Sequence, residues 1–275
     1  MKKRITALLL LLTLSVTSLF ACTSADKSES ASDKTAKTSK STSTKKQELT
    51  PVTLNEVAHS IFYAPMYVAI EKGYFANEGI DLSLVTGFGA DKTMTAVLSG
   101  TADIGFMGSE ASIYTYNEGA NDYVVNFAQL TQRAGNFLVA REDIKDFKWE
   151  DLKGKKVIGG RKGGMPEMVF EYILNQNHID PATDLTIDQN IDFGSTAAAF
   201  AEDKSDYDFT VEFEPGATNL EKQGKGYVVA SLGTDSGYVP YTAFSAKKSY
   251  INKHPEVVQG FTNALQKGMD YVASH

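Results

Sequence analysis

Cysteine is nearly absent from this chain: its 275 residues contain one, Cys22. An internal disulfide is therefore excluded, and so is a metal cluster built on cysteines. Histidine is sparse as well. His59, His178, His254 and His275 are scattered, and no two stand at the spacing of a zinc motif such as H-E-x-x-H. The G-x-S-x-G turn that presents a hydrolase nucleophile does not occur. With no visible catalytic constellation the chain reads as a binder rather than an enzyme, and no cofactor is expected.

Long hydrophobic runs are missing too, with one exception. "MKKR" is followed by "ITALLLLLTLSVTSLFAC", a basic start and an apolar stretch of signal-peptide type. Thr13, Ser15, Thr17 and Ser18 interrupt the stretch, which is short for a membrane span. Residues 1–21 are expected to be a signal peptide. Cys22, directly after "SLFA", looks like the lipid-modified cysteine of a bacterial lipoprotein; an ordinary cleaved secretory signal is the alternative. Residues 22–50 are rich in Ser, Thr and Lys without apolar periodicity, the composition of a disordered tether.

A surplus of positive charge is the last absence. The whole chain has 27 basic and 34 acidic residues, a formal −7. Three of the cations lie in the signal, and the tether has six lysines against four acids. The remainder thus carries 18 basic and 30 acidic residues, a formal −12. This argues against nucleic acid or anionic lipid as the partner of the folded part.

What is present from residue 51 onward is an alternation of strand-like and helix-like runs, the pattern of an α/β sheet with crossover helices. One unit spans 51–140 and a second 141–234. The segment 235–275 fits neither alone, and a return of the chain to the first lobe accounts for it. "YTAFSAKKSYI" is expected as a strand, and "HPEVVQGFTNALQKGMDYV" as a helix with Val257, Val258, Phe261, Ala264 and Leu265 inward. Two crossings, near 140 and 235, then make a hinged cleft. The chain stops just after that helix, so a C-terminal truncation is expected; a compact natural terminus is the alternative.

Glycine-rich turns mark the expected cleft. "GGRKGGMPEMVF", residues 159–170, packs four glycines into six positions between a strand and an amphipathic helix. It fails the P-loop pattern because Met165-Pro166 replaces Lys-Ser/Thr, and it fails the dinucleotide fingerprint because Arg161 takes the middle position. A strand, a flexible turn and a helix N-terminus remain, which makes Arg161, Gly163, Gly164 and Met165 candidate ligand contacts. A plain structural turn is the alternative. "GFMGSEAS" repeats the design in the first lobe, with Ser109 as a helix cap and Glu110 in the first turn. "VTGFGAD" sets Phe88 between two glycines, with Asp91 as a plausible cap. "AHSIFYAP" places His59, Phe62 and Tyr63 at the end of the first strand, and "FTVEFEPG" places Glu212 and Glu214 at another. Gln132 and Arg133 mark the first crossing, Tyr238 and Tyr241 the second. Ligands in open α/β sheets bind outside the carboxyl ends of strands, and all these turns lie there.

The stretch "APMYVAIEKGYFANEGIDLSLVTGFGADKTMTAVLSGTADIGFMG" resembles the solute-binding proteins of ABC importers in the nitrate/sulfonate/thiamine-precursor group. "DLKGKKVIGGRKGG" and "FEPGATNLEKQGKGYVVASLG" resemble that group's second lobe, so the likeness covers roughly 52–275. It implies an α/β, two-lobe, type II periplasmic-binding fold with two hinge crossings. It implies a monomer that closes on a small-molecule solute and hands it to an ABC permease, outside the cytoplasm and anchored by lipid to the bacterial cell membrane. The aromatic supply with Glu110 and Glu212 leans towards a thiamine-precursor pyrimidine or a flavin-like heterocycle. Sulfonate, taurine or nitrate is the alternative, with Arg161, Lys162 and Arg133 as cations. Fungal thiamine-pyrimidine synthases look similar here but use a cysteine-rich motif that this chain lacks. A surface sensor is not separable from an importer component by sequence.

Overall fold

The computed structural model describes residues 48–192 and 194–275. The expected signal peptide, Cys22 and nearly all of the expected tether lie outside the described residues. No helix among them is long and apolar enough to cross a membrane.

Two five-stranded sheets organise the chain. The first contains β1 (Thr50–Glu56), β2 (Ile80–Thr86), β3 (Ile104–Gly108), β4 (Val124–Thr131) and β10 (Thr242–Lys247), in the order β2-β1-β3-β10-β4. The second contains β5 (Asn136–Ala140), β6 (Lys156–Ile158), β7 (Thr186–Asp188), β8 (Phe209–Phe213) and β9 (Tyr227–Ser231), in the order β7-β6-β8-β5-β9. In each sheet four strands run in the same direction, and one antiparallel strand is inserted between two of them. The inserted strand is β10 in the first and β5 in the second. Each enters directly from the other lobe, through 132–135 or 236–241.

This corrects one boundary. Residues 136–140 were expected in the first lobe, but β5 pairs with β8 and β9 and so belongs to the second sheet. The apolar run "NFLVA" looks the same in either sheet; only its partners decide. A second correction concerns "YTAFSAKKSYI". Strand β10 stops at Lys247, where its pairing with Val124 ends, and α9 (Lys248–Lys253) follows. Ser249 N–H and Lys248 N–H are taken up by Asp122 and the Tyr123 carbonyl, so the chain turns into a helix instead of extending an unpaired edge.

Burial follows topology. Central β3 is an unbroken apolar run, as a strand covered on both faces must be. Edge strand β2 alternates buried and open positions. The first core is built on Phe106 and Phe244, stacked at 4.2 Å, with Phe261 of α10 (Pro255–Ser274) set edge-on to Phe244 at 5.2 Å. In α10, Val257, Phe261, Ala264 and Leu265 are buried and Val258 is half-buried. The helix lies so close to α1 (Ala64–Glu71) that a Cβ at Gly268 would stand 2.2 Å from the Pro65 carbonyl oxygen. The second core gathers Leu138, Val157, Phe209 and, from α5 (Met165–Gln176), Val169, Phe170, Ile173 and Leu174.

Helix starts differ from expectation at two places. Helix α3 (Ala90–Ser99) begins after Gly89, so Asp91 sits in its first turn and does not cap it. Helix α4 (Glu110–Asn117) follows Ser109, but the Ser109 hydroxyl donates to the Pro240 carbonyl at 2.6 Å instead of capping. On α5, Met168 and Tyr172 are apolar yet exposed. Met168 instead meets Tyr114 of the opposite lobe.

Candidate ligand-binding cleft

Strands β1, β2 and β3 end at Glu56, Thr86 and Gly108, and β6 and β8 end at Ile158 and Phe213. The turns that leave these ends face one another across the cleft between the sheets. They enclose a cavity of about 420 Å³. Tyr63, Leu98, Glu110 and Tyr114 line it from the first lobe, and Gly163, Met165 and Phe213 from the second. Tyr241 and Thr242, at the end of the second crossing, close its back. A smaller cavity of about 210 Å³ lies beside it and shares Phe213 and Pro166.

Glu110 is the polar centre of the larger cavity. It is only 4% exposed, at the first position of α4. Its Oε1 accepts the backbone N–H of Met165 at 3.0 Å, across the cleft. Its Oε2 has no hydrogen-bond partner among the described residues. A side chain at Gly108 would remove this arrangement, because a Cβ there would stand 2.2 Å from Oε2. Burial pushes the Glu110 carboxyl up to about 7. The bond to Met165 has a second effect. Helix α5 has no side-chain cap at Gly164, and its N-terminal N–H groups attract negative charge. The carboxylate of the other lobe already holds that position.

Two further carboxyls are raised in the same way. Glu212, 4% exposed, accepts the Thr210 hydroxyl at 2.7 Å, and burial pushes it up to about 7. Glu167, in the first turn of α5, accepts the Gly163 N–H at 3.1 Å and a Gln189 amide; burial, then Glu171, pushes it up to about 7. Tyr63 and Tyr241 are fully buried, and desolvation holds both phenols well above their ordinary value.

Other contacts bridge the lobes at the rim. The Tyr114 hydroxyl donates to the Gly163 carbonyl at 3.2 Å. Arg161 is shared between Asp91 of the first lobe at 3.1 Å and Asp192 of the second at 3.4 Å. The glycine-rich turn has local reasons for its composition: Gly160 and Gly163 have φ of 92° and 73°, and a Cβ at Gly159 would stand 2.3 Å from Ile187.

The candidate residues separate into three groups. Tyr63, Glu110, Arg161, Gly163, Gly164 and Met165 line the larger cavity. His59 and Glu212 line the smaller one. Phe62, Phe88, Ser109, Gln132 and Tyr238 line neither. Phe62 packs between the cores, 5.8 Å from Phe213 and 5.9 Å from Tyr241. Phe88 is 54% exposed at φ 57°, and the glycine before it serves the close approach of Asn55 and Thr93. Gln132 contributes its carbonyl to the Val239 N–H. Tyr238 is 73% exposed and lies under the Arg133 guanidinium, 4.1 Å from ring centre to Cζ. Tyr114, Leu98 and Phe213 were not among the candidates. Tyr114 follows Glu110 at i+4 on one helix face, and that spacing was the available signal.

A family model described as NMT1/THI5 like matches residues 61–275. The chain belongs to this family. YtlA of Bacillus subtilis, named as a binding protein without a stated ligand, is 53% identical over 232 residues, which are 84% of this chain and 69% of that one. The riboflavin-binding protein RibY of Chloroflexus aurantiacus is 26% identical over 214 residues, 76% of this chain and 58% of that one. Among solved structures, the periplasmic aliphatic sulphonate binding protein SsuA of Escherichia coli superposes with a TM-score of 0.66 at 18% identity, over 82% of this chain and 74% of that one. The periplasmic nitrate-binding protein NrtA of Synechocystis PCC 6803 gives 0.65 at 18% identity, over 81% and 62%. These neighbours share the two-sheet periplasmic binding fold. Binding proteins of the NMT1/THI5-like family are extracytoplasmic and deliver small solutes to ABC permeases, and at family level this chain is a solute-binding component of an ABC importer rather than an enzyme.

Proposed function

We propose that the solute is a flat heterocycle bearing amino or ring N–H groups, a thiamine-precursor pyrimidine or a flavin-like ring, held in the larger cavity. One observation carries this reading: the buried Oε2 of Glu110 lacks a donor among the described residues, in a cavity walled by Tyr63, Phe213 and Tyr241. An unpaired carboxylate oxygen in a dry site costs about 1–3 kcal/mol, and a ligand N–H removes that cost. The volume suits a small organic ligand. Aromatic walls suit a ring face.

The alternative, a sulfonate, taurine or nitrate, is less well served. An anion at the start of α5 would meet the Glu110 carboxylate already there. Of the two cations in that turn, Arg161 is engaged by Asp91 and Asp192, while Lys162 also lines the cavity.

Thermal melting of the purified full chain with added aminopyrimidines, riboflavin, taurine and nitrate tests the assignment. A ligand at about a hundred times its Kd adds about 2.7 kcal/mol, several degrees in Tm for a protein of this size. A shift with nitrate or taurine and none with the heterocycles rejects it. The protein works as a monomer held to the cell membrane through lipid on Cys22, with residues 22–50 as spacer. Fractionation of a Cys22→Ser variant checks this, since retention of that variant on membranes contradicts lipid anchoring.

A further inference from the structure

The smaller cavity has a built interior. Glu212 forms one wall, buried, with Oε1 held by Thr210. A Cβ at Gly216 would stand 3.0 Å from its Oε2, so a glycine there leaves that oxygen room. The facing wall comes from the other lobe. His59 pairs through Nδ1 with Glu56 at 2.8 Å. Glu56 is completely buried and also accepts Tyr67 and Thr86, so the imidazole is fixed from behind. Its Nε2 is the remaining polar atom of a ring whose side chain is 67% exposed. Ser60 ties the two walls together by donating to the Glu214 carbonyl at 3.1 Å.

A buried carboxylate opposite a carboxylate-oriented imidazole favours hydroxyl and amino groups. At about 30 Å³ per water-sized group, about 210 Å³ holds roughly seven of them. That suits a short chain better than a second fused ring.

We infer that this cavity is a second compartment of the solute site, taking a short hydroxyl- or amino-bearing arm attached to the ring in the larger cavity. The arm passes beside Phe213 and Pro166, the residues common to both spaces. The inference rests on the heterocycle reading of the larger cavity. It narrows the solute from a bare ring to a ring with a polar arm.

Matched pairs of probes test it by titration calorimetry on the full chain. One pair is riboflavin and lumichrome, the same type of fused ring with and without the polyhydroxyl arm. The other is a hydroxymethyl aminopyrimidine and its methyl counterpart. In at least one pair the armed member is expected to bind about tenfold tighter, the scale of a buried hydrogen bond to a charged group. Glu212→Gln and Ala197→Leu should each bring that ratio close to one and leave the armless Kd within about twofold. The first variant changes charge without shape and the second fills space, so either one that melts cooperatively is sufficient. Equal affinity within both pairs, or equal weakening of both members by Glu212→Gln, overturns the second compartment and leaves the heterocycle reading standing. No binding by any of the four overturns the heterocycle reading and this inference with it.

Discussion

Glu110 and Met165 belong to opposite lobes, yet the carboxylate of one accepts the backbone N–H of the other at 3.0 Å. The bond caps a helix from outside its own lobe. It joins the lobes together with the Tyr114–Gly163, Arg161–Asp91 and Ser60–Glu214 contacts. Glu110→Ala is expected to weaken heterocycle binding by tenfold or more, because both the ligand acceptor and the cap are lost. Calorimetric titration with the best ligand of the panel reads this directly, and an unchanged Kd counts against the central role of Glu110.

The pH dependence follows from the same group. The ordinary carboxyl value is 4.5, and in the fold Glu110 and Glu212 are pushed up to about 7, each chiefly by burial. Below about pH 4.5 both folded and unfolded chains hold these protons, and the contribution to stability is complete. As pH rises through about 7 the fold must ionise buried groups that the unfolded chain has already ionised, so the contribution is lost. The unliganded protein should therefore melt higher at about pH 5.5 than at about pH 8, by about 1–3 kcal/mol per group. Glu110→Gln should shrink the difference by one group's share and leave the share of Glu212. A melt that rises from pH 5.5 to 8 contradicts the sign.

Gly108 and Gly268 are both closed to a side chain. Gly108→Ala pushes a methyl onto the Glu110 carboxylate and is expected to weaken ligand binding while leaving the fold cooperative. Gly268→Ala drives a methyl against the Pro65 carbonyl of a packed helix, at a cost of about 1–3 kcal/mol. Denaturant unfolding of the two variants separates these effects. A neutral Gly268→Ala contradicts the tight α1–α10 contact.

Arg133 and Tyr238 sit on the two crossings, and their stack braces one against the other. An exposed cation–π contact is worth about 0.5–1 kcal/mol. A double-mutant cycle on Arg133→Ala and Tyr238→Ala should return a coupling of that size in unfolding free energy. A coupling near zero would show that the stack is incidental.

Much of this architecture was legible in the sequence because it rests on local pattern. Alternation marked the strands, and Pro255 with the spacing of Val257, Phe261 and Leu265 marked α10. The turns at strand ends gave the cleft. Glu110 and Met165 were candidates from such turns, but their mutual bond was not visible, since it depends on how two lobes meet. Phe88 and Tyr238, both candidates, stand exposed outside the two cavities for a related reason. Aromatic type and flanking glycine say that a ring is near a turn, and not which side of the turn it occupies. The lobe of β5 was misplaced because an apolar strand carries no record of its partners.

The two inserted strands have a consequence for the newly made chain. β10 fills the gap between β3 and β4, more than a hundred residues upstream, with Thr242 opposite Thr131. The first sheet therefore stays open, with two facing unpaired edges, until the entire second lobe has been synthesised. The second lobe needs nothing later than β9 to complete its own sheet. Contacts of such long sequence separation form late. The lobe begun first is the lobe finished last, and exposure to chaperones and to strand-pairing errors is concentrated on the edges of β3 and β4.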